Sequence, residues 1–128
     1  MHLDYAGIRV TNLSKAVRFF TKGLGLNVLR RGRMAHGGVW VLLGDRISGQ
    51  RLELNWYPKG SRYATPFVPG EGLDHIGVRV NSMAAAGKQL RKAGALKVDE
   101  FRWRGELQIE YYEGPDGLWI ELIKSPSH

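Results

Sequence analysis

An eight-residue segment that occurs twice constrains the fold of this chain more than any other feature. Residues 3–10 read LDYAGIRV and residues 73–80 read LDHIGVRV, so five of eight positions are identical at an offset of 70 residues. In both copies apolar residues alternate along the segment, which is the period of a strand with one buried face. The repeat therefore predicts two copies of one structural module.

The residues that follow each copy extend the repeat. Asn12 and Ser82 are suited to cap helices, and both helices are predicted to end at glycine, in KGLGL and KAGAL. Apolar runs bounded by turn residues, including PDG near the end of the chain, predict three more strands in each half. These strands cover about residues 26–33, 37–43 and 51–57 in the first half, and 96–104, 106–113 and 118–123 in the second.

Each half is therefore predicted to be a βαβββ module. Module 1 spans about residues 3–57, module 2 spans about 73–124, and the Pro- and Gly-rich residues 58–72 are interpreted as the linker. Because neither half is long enough to bury a core by itself, we expect residues 1–128 to form a single α+β domain of two pseudo-symmetric modules.

Composition limits the classes of function. The absence of cysteine excludes disulfides, cysteine-ligated zinc and a thiol nucleophile. The N-terminus lacks the pattern of a signal peptide, and no apolar run approaches the about 20 residues of a membrane span, so we expect a cytoplasmic protein without membrane contact. The net charge of +7 favours a small anionic partner. The cluster RRGR at 30–33 is interpreted as a solvated strand edge, and nucleic acid is not expected as a partner.

Four polar residues occupy matching positions in the two modules. Tyr5 and His75 take the third position of the repeated segment, on the strand face opposite the apolar residues that would pack against the helix. Glu53 in RLELNW and Glu121 in LWIELI lie among alternating apolar residues and also point away from the helix. If the first and last strands of each module are neighbours, about 4.8 Å apart, these side chains share one free sheet face.

The chemistry of these residues indicates a cation. Two carboxylates and an imidazole that converge in a cavity repel or neutralise one another unless a cation holds them. The set Glu53, His75 and Glu121 therefore predicts one divalent metal ion with an open coordination position, and Zn, Ni, Co, Mn or Fe are all compatible with these donors.

Each of these residues also has a structural explanation when it is taken singly. A histidine beside an aspartate on a strand is more often structural than ligating, and a glutamate near a strand end is more often a solvated charge. The matched placement in two modules favours the functional interpretation. Arg9 and Arg79 share the free face, where they either bind an anionic substrate or face solvent.

The chain resembles a known superfamily. The paired modules and the motifs GIRV, ELNW, LDHIGVRV and PDGLWIELI together resemble the vicinal oxygen chelate superfamily, over about residues 3–124. Its members include glyoxalase I, methylmalonyl-CoA epimerase, extradiol dioxygenases, fosfomycin-resistance enzymes and bleomycin-binding proteins. The resemblance implies the glyoxalase-like fold, in which paired modules form a curved mixed sheet around a cavity.

The resemblance also implies roles for the matched residues. It puts Glu53, His75 and Glu121 on the metal, with Glu121 as the general base as well. The remaining ligand position, which is usually His, Gln or Glu in such proteins, is Tyr5 here. We favour a catalytic role in which Tyr5 donates a hydrogen bond to a bound oxygen, with a phenolate ligand as the alternative.

Substrate-binding residues are implied in the same way. Arg9 matches an arginine that contacts the glutathione carboxylate in glyoxalase I, and Asn55 lies near the position of a substrate-binding asparagine. Arg79 is the equivalent of Arg9 in module 2. Other parts of that glutathione site are missing, so a glutathione conjugate is not the expected substrate.

The leading hypothesis is a metal-dependent lyase, isomerase or epimerase of a small α-oxygenated carbonyl or thioester substrate, working by metal-assisted proton transfer. The second hypothesis is a protein that binds a planar or cationic small molecule without chemistry, like the bleomycin-binding members. Its stacking surface would consist of the aromatic side chains of Trp40, Trp56, Tyr57, Trp103, Tyr111 and Trp119. A ring-cleaving dioxygenase is the third. The resemblance further implies a homodimer.

Overall fold

The chain divides into two compact units in a computed structural model that describes residues 4–64, 66, 68 and 73–126. Unit 1 is Met1–Val68 and unit 2 is Pro69–His128. Each unit holds a helix and one four-stranded mixed sheet, which confirms the α+β class and the repeated module. Leu3 and parts of the predicted linker, namely Thr65, Phe67 and Pro69–Gly72, lie outside the described residues. The single domain over residues 1–128 stays a prediction.

The elements follow the same order in both units. Unit 1 consists of β1 (Ala6–Arg9), α1 (Leu13–Arg18), a π-helical turn (Phe19–Gly23), β2 (Asn27–Arg33), β3 (Val39–Gly44) and β4 (Arg51–Trp56). Unit 2 consists of β5 (His75–Val80), α2 (Met83–Lys92), β6 (Leu96–Trp103), β7 (Glu106–Glu113), a 3₁₀ turn (Pro115–Gly117) and β8 (Trp119–Lys124).

Both sheets have the topology on which the site prediction depends. The strand orders are β1-β4-β3-β2 and β5-β8-β7-β6, so the first and last strands of each module are neighbours. These neighbours run parallel, whereas the remaining pairs are antiparallel. The helix between the first two strands provides the crossover that a parallel pair requires.

The helices begin where the sequence indicates. The Asn12 side chain accepts a hydrogen bond from the Lys15 backbone N–H at 3.0 Å, and Ser82 accepts one from Ala85 at 3.1 Å. Each cap satisfies a backbone donor that the first helical turn leaves without a partner. After α2 the chain turns at Gly94, whose φ of +101° is accessible to glycine at little cost. Both predicted N-caps are confirmed.

The apolar side of each sheet is the buried side. Leu54 on β4 and Ile120 on β8 are fully buried, and Leu90 on α2 is fully buried as well. The alternation around Glu53 and Glu121 is therefore confirmed as a division between a core face and a free face. Ala6, which the alternation assigns to the core face, is instead exposed because it is the first residue of the four-residue strand β1.

A polar network lies beneath α2 on the core side of unit 2. The fully buried Tyr112 hydroxyl donates to Glu110 Oε2 at 3.0 Å and accepts from Arg91 Nη1 at 3.1 Å. Lys97 Nζ is 3.0 Å from the same Glu110 oxygen, so the buried carboxylate has a cationic partner. Gly87 makes room for this network, because a Cβ atom there would lie 2.4 Å from the Tyr112 hydroxyl oxygen.

Gly87→Ala is expected to destabilise unit 2 although alanine favours a helix over glycine by about 1 kcal/mol. The new methyl group collides with the Tyr112 hydroxyl, which costs about 1–3 kcal/mol in a packed interior. In a Tyr112→Phe background the same substitution should cost less, because the colliding oxygen is gone. Urea unfolding of the four proteins in this cycle measures the coupling, with the exposed Lys88→Ala as control. Equal costs of Gly87→Ala in both backgrounds would contradict the proposed collision.

The same network predicts loss of stability in alkali. Burial raises the pKa of Tyr112, and its hydrogen bond to Glu110 acts in the same direction. Hydrogen bonds to Glu100 and Glu110 raise the pKa of Lys97. A group whose pKa is raised by folding stabilises the protein below its unfolded pKa, here about 10, and loses that contribution as the pH rises through the folded pKa. The free energy of unfolding should therefore fall above about pH 10, and less steeply in Tyr112→Phe. A Tyr112→Phe profile parallel to the wild type would contradict a role for Tyr112.

Candidate functional site

The free face of unit 2 brings together two of the residues that the sequence predicts as metal ligands. In the parallel pairing of β5 with β8, Gly77 lies opposite Glu121, and His75 precedes Gly77 by two residues on the same face. His75 Nε2 is 3.2 Å from Glu121 Oε2. Glu121 is largely buried, with 13% of its side chain exposed, whereas His75 is exposed to 39%. The pair therefore joins a sheltered carboxylate to an accessible imidazole.

Asp74 holds the other nitrogen of the imidazole. Its Oδ2 atom is 2.7 Å from His75 Nδ1, so the ring stands between two carboxylates. A neutral imidazole carries one N–H and can donate to only one of them. When Asp74 accepts the Nδ1 proton, the Nε2 lone pair faces the Glu121 oxygen, and a proton or a cation between these atoms removes the repulsion. A carboxylate behind a histidine is the usual arrangement in metal sites, where it fixes the ring and its tautomer.

Tyr111 completes the polar group on this face. In the antiparallel pairing of β7 with β8 it lies opposite Glu121, and its hydrogen bond to that carboxylate raises the pKa of the phenol. The Tyr111 ring meets His75 edge-on at 6.2 Å and Trp119 at 5.7 Å between ring centroids. Tyr111 thus remains a protonated donor to Glu121.

The sequence pattern assigns Tyr111 only to the aromatic stacking surface of the second function hypothesis. The predicted PDG turn, however, indicates the contact between Tyr111 and Glu121 through the strand pairing that it sets. A hairpin centred on Asp116 pairs residues whose numbers lie equally far on either side, and Tyr111 and Glu121 are both five residues away. The turn therefore indicates this partner once the register is assumed to be regular.

Unit 1 repeats the backbone frame of this face with different side chains. Gly7 lies opposite Glu53, as Gly77 lies opposite Glu121, and Tyr5 stands two residues before Gly7, at the position of His75. Tyr5 is 48% exposed and precedes the first residue of β1. Glu53 is half-buried, and the Asn55 side-chain amide donates to the Glu53 backbone carbonyl at 3.4 Å.

The predicted substrate-binding residues lie two residues further along the strands. Arg9 pairs with Asn55 in the register of β1 and β4, on the face that carries Glu53. Arg9 also lines a cleft of about 260 Å³ together with Trp56, Tyr57 and Lys59. Arg79 Nη1 in unit 2 donates to the Lys124 backbone carbonyl at 3.2 Å. Their role in substrate binding stays a prediction.

The donor chemistry of unit 2 fits a divalent cation. His75 and Glu121 present a nitrogen and an oxygen side by side, the donor types that Zn, Ni, Co, Mn and Fe accept from proteins. Within the described part of either unit, no three His, Asp or Glu side chains are gathered as a ligand set. Glu53 as the third ligand therefore stays a prediction.

The sequence and the fold of this chain match those of known proteins. A family model described as the Glyoxalase/Bleomycin resistance protein/Dioxygenase superfamily matches residues 2–122. The chain belongs to this superfamily. The resemblance inferred from the sequence motifs is thereby confirmed, and it extends over nearly the whole chain.

Relatives within the superfamily include enzymes. The chain is 31% identical to a lactoylglutathione lyase of Neisseria meningitidis, over 99% of the chain and 93% of the relative. It is 30% identical to a probable lactoylglutathione lyase of Vibrio cholerae, over 92% of the chain and 86% of the relative.

A solved structure that shares the fold is a glyoxalase family protein from Bacillus cereus, with a TM-score of 0.81, 21% identity and coverage of 99% of this chain and 95% of the other. An antibiotic binding protein from Streptomyces has a TM-score of 0.69 and 18% identity, covering 98% and 97% of the two chains. These likenesses support the fold only, since one fold carries many functions. In the part of the chain that the structure describes, no helix has the length and apolarity to cross a membrane.

The position of the His75 ring predicts its tautomer. In chelator-treated protein with a neutral ring, the proton should reside on Nδ1, because Asp74 is the nearer acceptor. Asp74→Ala removes that acceptor and should move the proton towards Nε2, whereas Asp74→Asn keeps an acceptor oxygen and should move it less. Long-range ¹H–¹⁵N correlation spectra distinguish the tautomers. An Nε2 proton already dominant in the wild type would contradict the orienting role of Asp74.

Proposed function

We propose that this protein is a metal-dependent lyase or isomerase of the glyoxalase I type, acting on a small α-oxygenated carbonyl or thioester substrate by proton transfer next to the carbonyl. The observation that carries the proposal is His75 held at Nδ1 by Asp74, with Nε2 3.2 Å from Glu121 Oε2. The lactoylglutathione lyases at about 30% identity support the reaction class.

His75, Glu121 and Glu53 are the proposed metal ligands. A divalent ion held by these residues would supply Lewis-acid polarisation of the substrate carbonyl, which would acidify the adjacent C–H bond. Asp74 keeps the lone pair of His75 Nε2 available for the metal. The sheltered position of Glu121 limits the access of water, which would otherwise compete with this carboxylate for the metal.

Glu121 is the proposed general base. Its carboxylate takes the proton from the carbon beside the carbonyl and returns it, on the same face, to the neighbouring carbon. The Tyr111 hydroxyl donates to this carboxylate and fixes its orientation. Tyr5 is proposed to donate a hydrogen bond to a substrate oxygen, and Arg9, Arg79 and Asn55 to bind an anionic part of the substrate.

The name of the lactoylglutathione lyases suggests lactoylglutathione, a thioester of the thiol glutathione, as one compound to assay. The chain lacks parts of the sequence pattern for glutathione, so the assay should compare this thiol with smaller ones. A cytoplasmic homodimer stays a prediction.

Elemental analysis and substitutions at Glu121 and His75 test the proposal. We expect about one divalent ion per site. His75→Ala should lose tight metal binding, whereas Glu121→Gln should retain the metal and lose about 10²–10⁴-fold in turnover, the usual contribution of a general base.

Glu113→Gln, a charge-matched substitution of an exposed residue on β7, is the control and should leave both quantities unchanged. A protein that binds no metal, and whose stability is the same with and without chelator, would refute the proposal.

A second candidate function is binding of a planar anionic molecule without chemistry. The observation that favours it is the cleft lined by Trp56, Tyr57, Arg9 and Lys59. Tyr57 also stacks in a cluster with His36 and Tyr63, at centroid distances of 5.8 and 5.5 Å. Tight quenching of tryptophan fluorescence by such a ligand in metal-free protein, without turnover, would favour this function over the first.

A further inference from the structure

A second cleft lies on the helix side of the sheet in unit 1. It has a volume of about 310 Å³, within the usual range for small-molecule sites. Its cationic lining residues are Arg18, Lys22 and Arg31, and among the residues that the structure describes no Asp or Glu lines it. Ser14 and Thr21 contribute hydroxyl groups, and the remaining lining residues are Leu13 and Val17. The cleft therefore combines positive charge, hydrogen-bonding groups and a small apolar surface.

The cleft lies on the opposite side of the sheet from the proposed metal ligand of unit 1. Arg31 pairs with Val41, and Val41 pairs with the fully buried Leu54, so these residues share the helix face. Arg30 pairs with Leu42, which pairs with Glu53, so Arg30 belongs to the free face. A ligand in the cleft would thus not touch Glu53, and the inference does not depend on the proposed reaction.

The net charge of the protein is divided unevenly between the two units. Unit 1 holds 11 Lys and Arg residues and 3 Asp and Glu residues, which gives a net charge of +8. Unit 2 holds 8 Lys and Arg residues and 9 Asp and Glu residues, which gives a net charge of −1. The whole positive excess therefore belongs to unit 1. Such an excess raises the local concentration of anions and favours their binding in a concave site.

The acidic residues of unit 1 are committed elsewhere. Asp4 is 3.4 Å from Arg51 Nη1, and Asp45 accepts from Ile47 N and Ser48 Oγ in the turn between β3 and β4. Glu53 lies on the free face. Three cationic side chains thus line the cleft, and the acidic side chains of this unit lie away from it, so the charge of the lining favours an anion.

We propose that this cleft binds the phosphate group of a small-molecule ligand. Two guanidinium groups and an ammonium group match the charge and geometry of a phosphate monoester or pyrophosphate, and arginine can contact two phosphate oxygens at once. Leu13 and Val17 offer a contact for the apolar part of such a ligand. The described lining residues include no aromatic side chain for base stacking, so the cleft favours a small ligand over single-stranded nucleic acid.

An alternative explanation of the arginines is protection of the edge strand β2, since charges on an edge discourage pairing with another chain. That explanation applies to Arg30 and Arg31 alike. Only the proposed cleft distinguishes them, because Arg31 lines it and Arg30 lies on the other face.

Pyrophosphate and inorganic phosphate titrations at constant ionic strength test the proposal in the full-length protein, by calorimetry and by amide chemical shifts. We expect saturable binding of pyrophosphate, with the largest shifts in residues 13–22 and at Arg31. Arg31→Gln should weaken binding at least about tenfold, as loss of charge-assisted hydrogen bonds does. Arg31→Lys should weaken it less, because the charge is kept.

Arg30→Gln is the matched control, since it removes the same charge from the neighbouring position of the same strand. It should change the affinity less than about twofold. Equal losses in Arg30→Gln and Arg31→Gln would overturn the proposal in favour of unspecific charge attraction. Absence of saturable pyrophosphate binding, or tighter binding of a short oligonucleotide that does not depend on Arg31, would overturn it as well.

Discussion

The parallel pairing of the first and last strands within each module is the interaction on which the rest of the structure depends. It requires a crossover connection, which α1 and α2 provide, and it places the ends of the module in one sheet. Residues far apart in the sequence become neighbours on one face, as His75 and Glu121 do. An antiparallel pairing of the same strands would reverse the order of residues along one of them and would change which side chains are neighbours.

Much of the fold could be predicted from the sequence because the modules use local signals. The caps Asn12 and Ser82, and the alternation around Glu53 and Glu121, depend on neighbouring residues only. The π-helical turn after α1 was not predicted, because its hydrogen-bond pattern depends on backbone geometry rather than on residue type. The Thr21 hydroxyl donates to the Val17 carbonyl there, at 2.7 Å.

Some residues of the candidate site could be predicted from the sequence, whereas not all of their contacts with other strands could. The repeat identified His75 and Glu121, since both occupy module positions that strand alternation assigns to the free face. The contact of Tyr111 with Glu121 depends on the register between β7 and β8, which alternation alone does not fix. The charge imbalance between the units does not follow from the net charge of the chain, because composition averages over all residues, whereas electrostatic potential depends on where the charges lie.

Tyr5 and His75 occupy equivalent positions in two copies of one module, so the side chain at this position can differ between the copies without a change of fold. The strand pairing that positions them involves backbone groups, which are indifferent to the side chain at either position. One module can therefore exchange an imidazole for a phenol while the other keeps its chemistry and both keep their sheets. Duplication in this fold therefore allows the shape of a module to be inherited separately from the side chain that the module presents at this position.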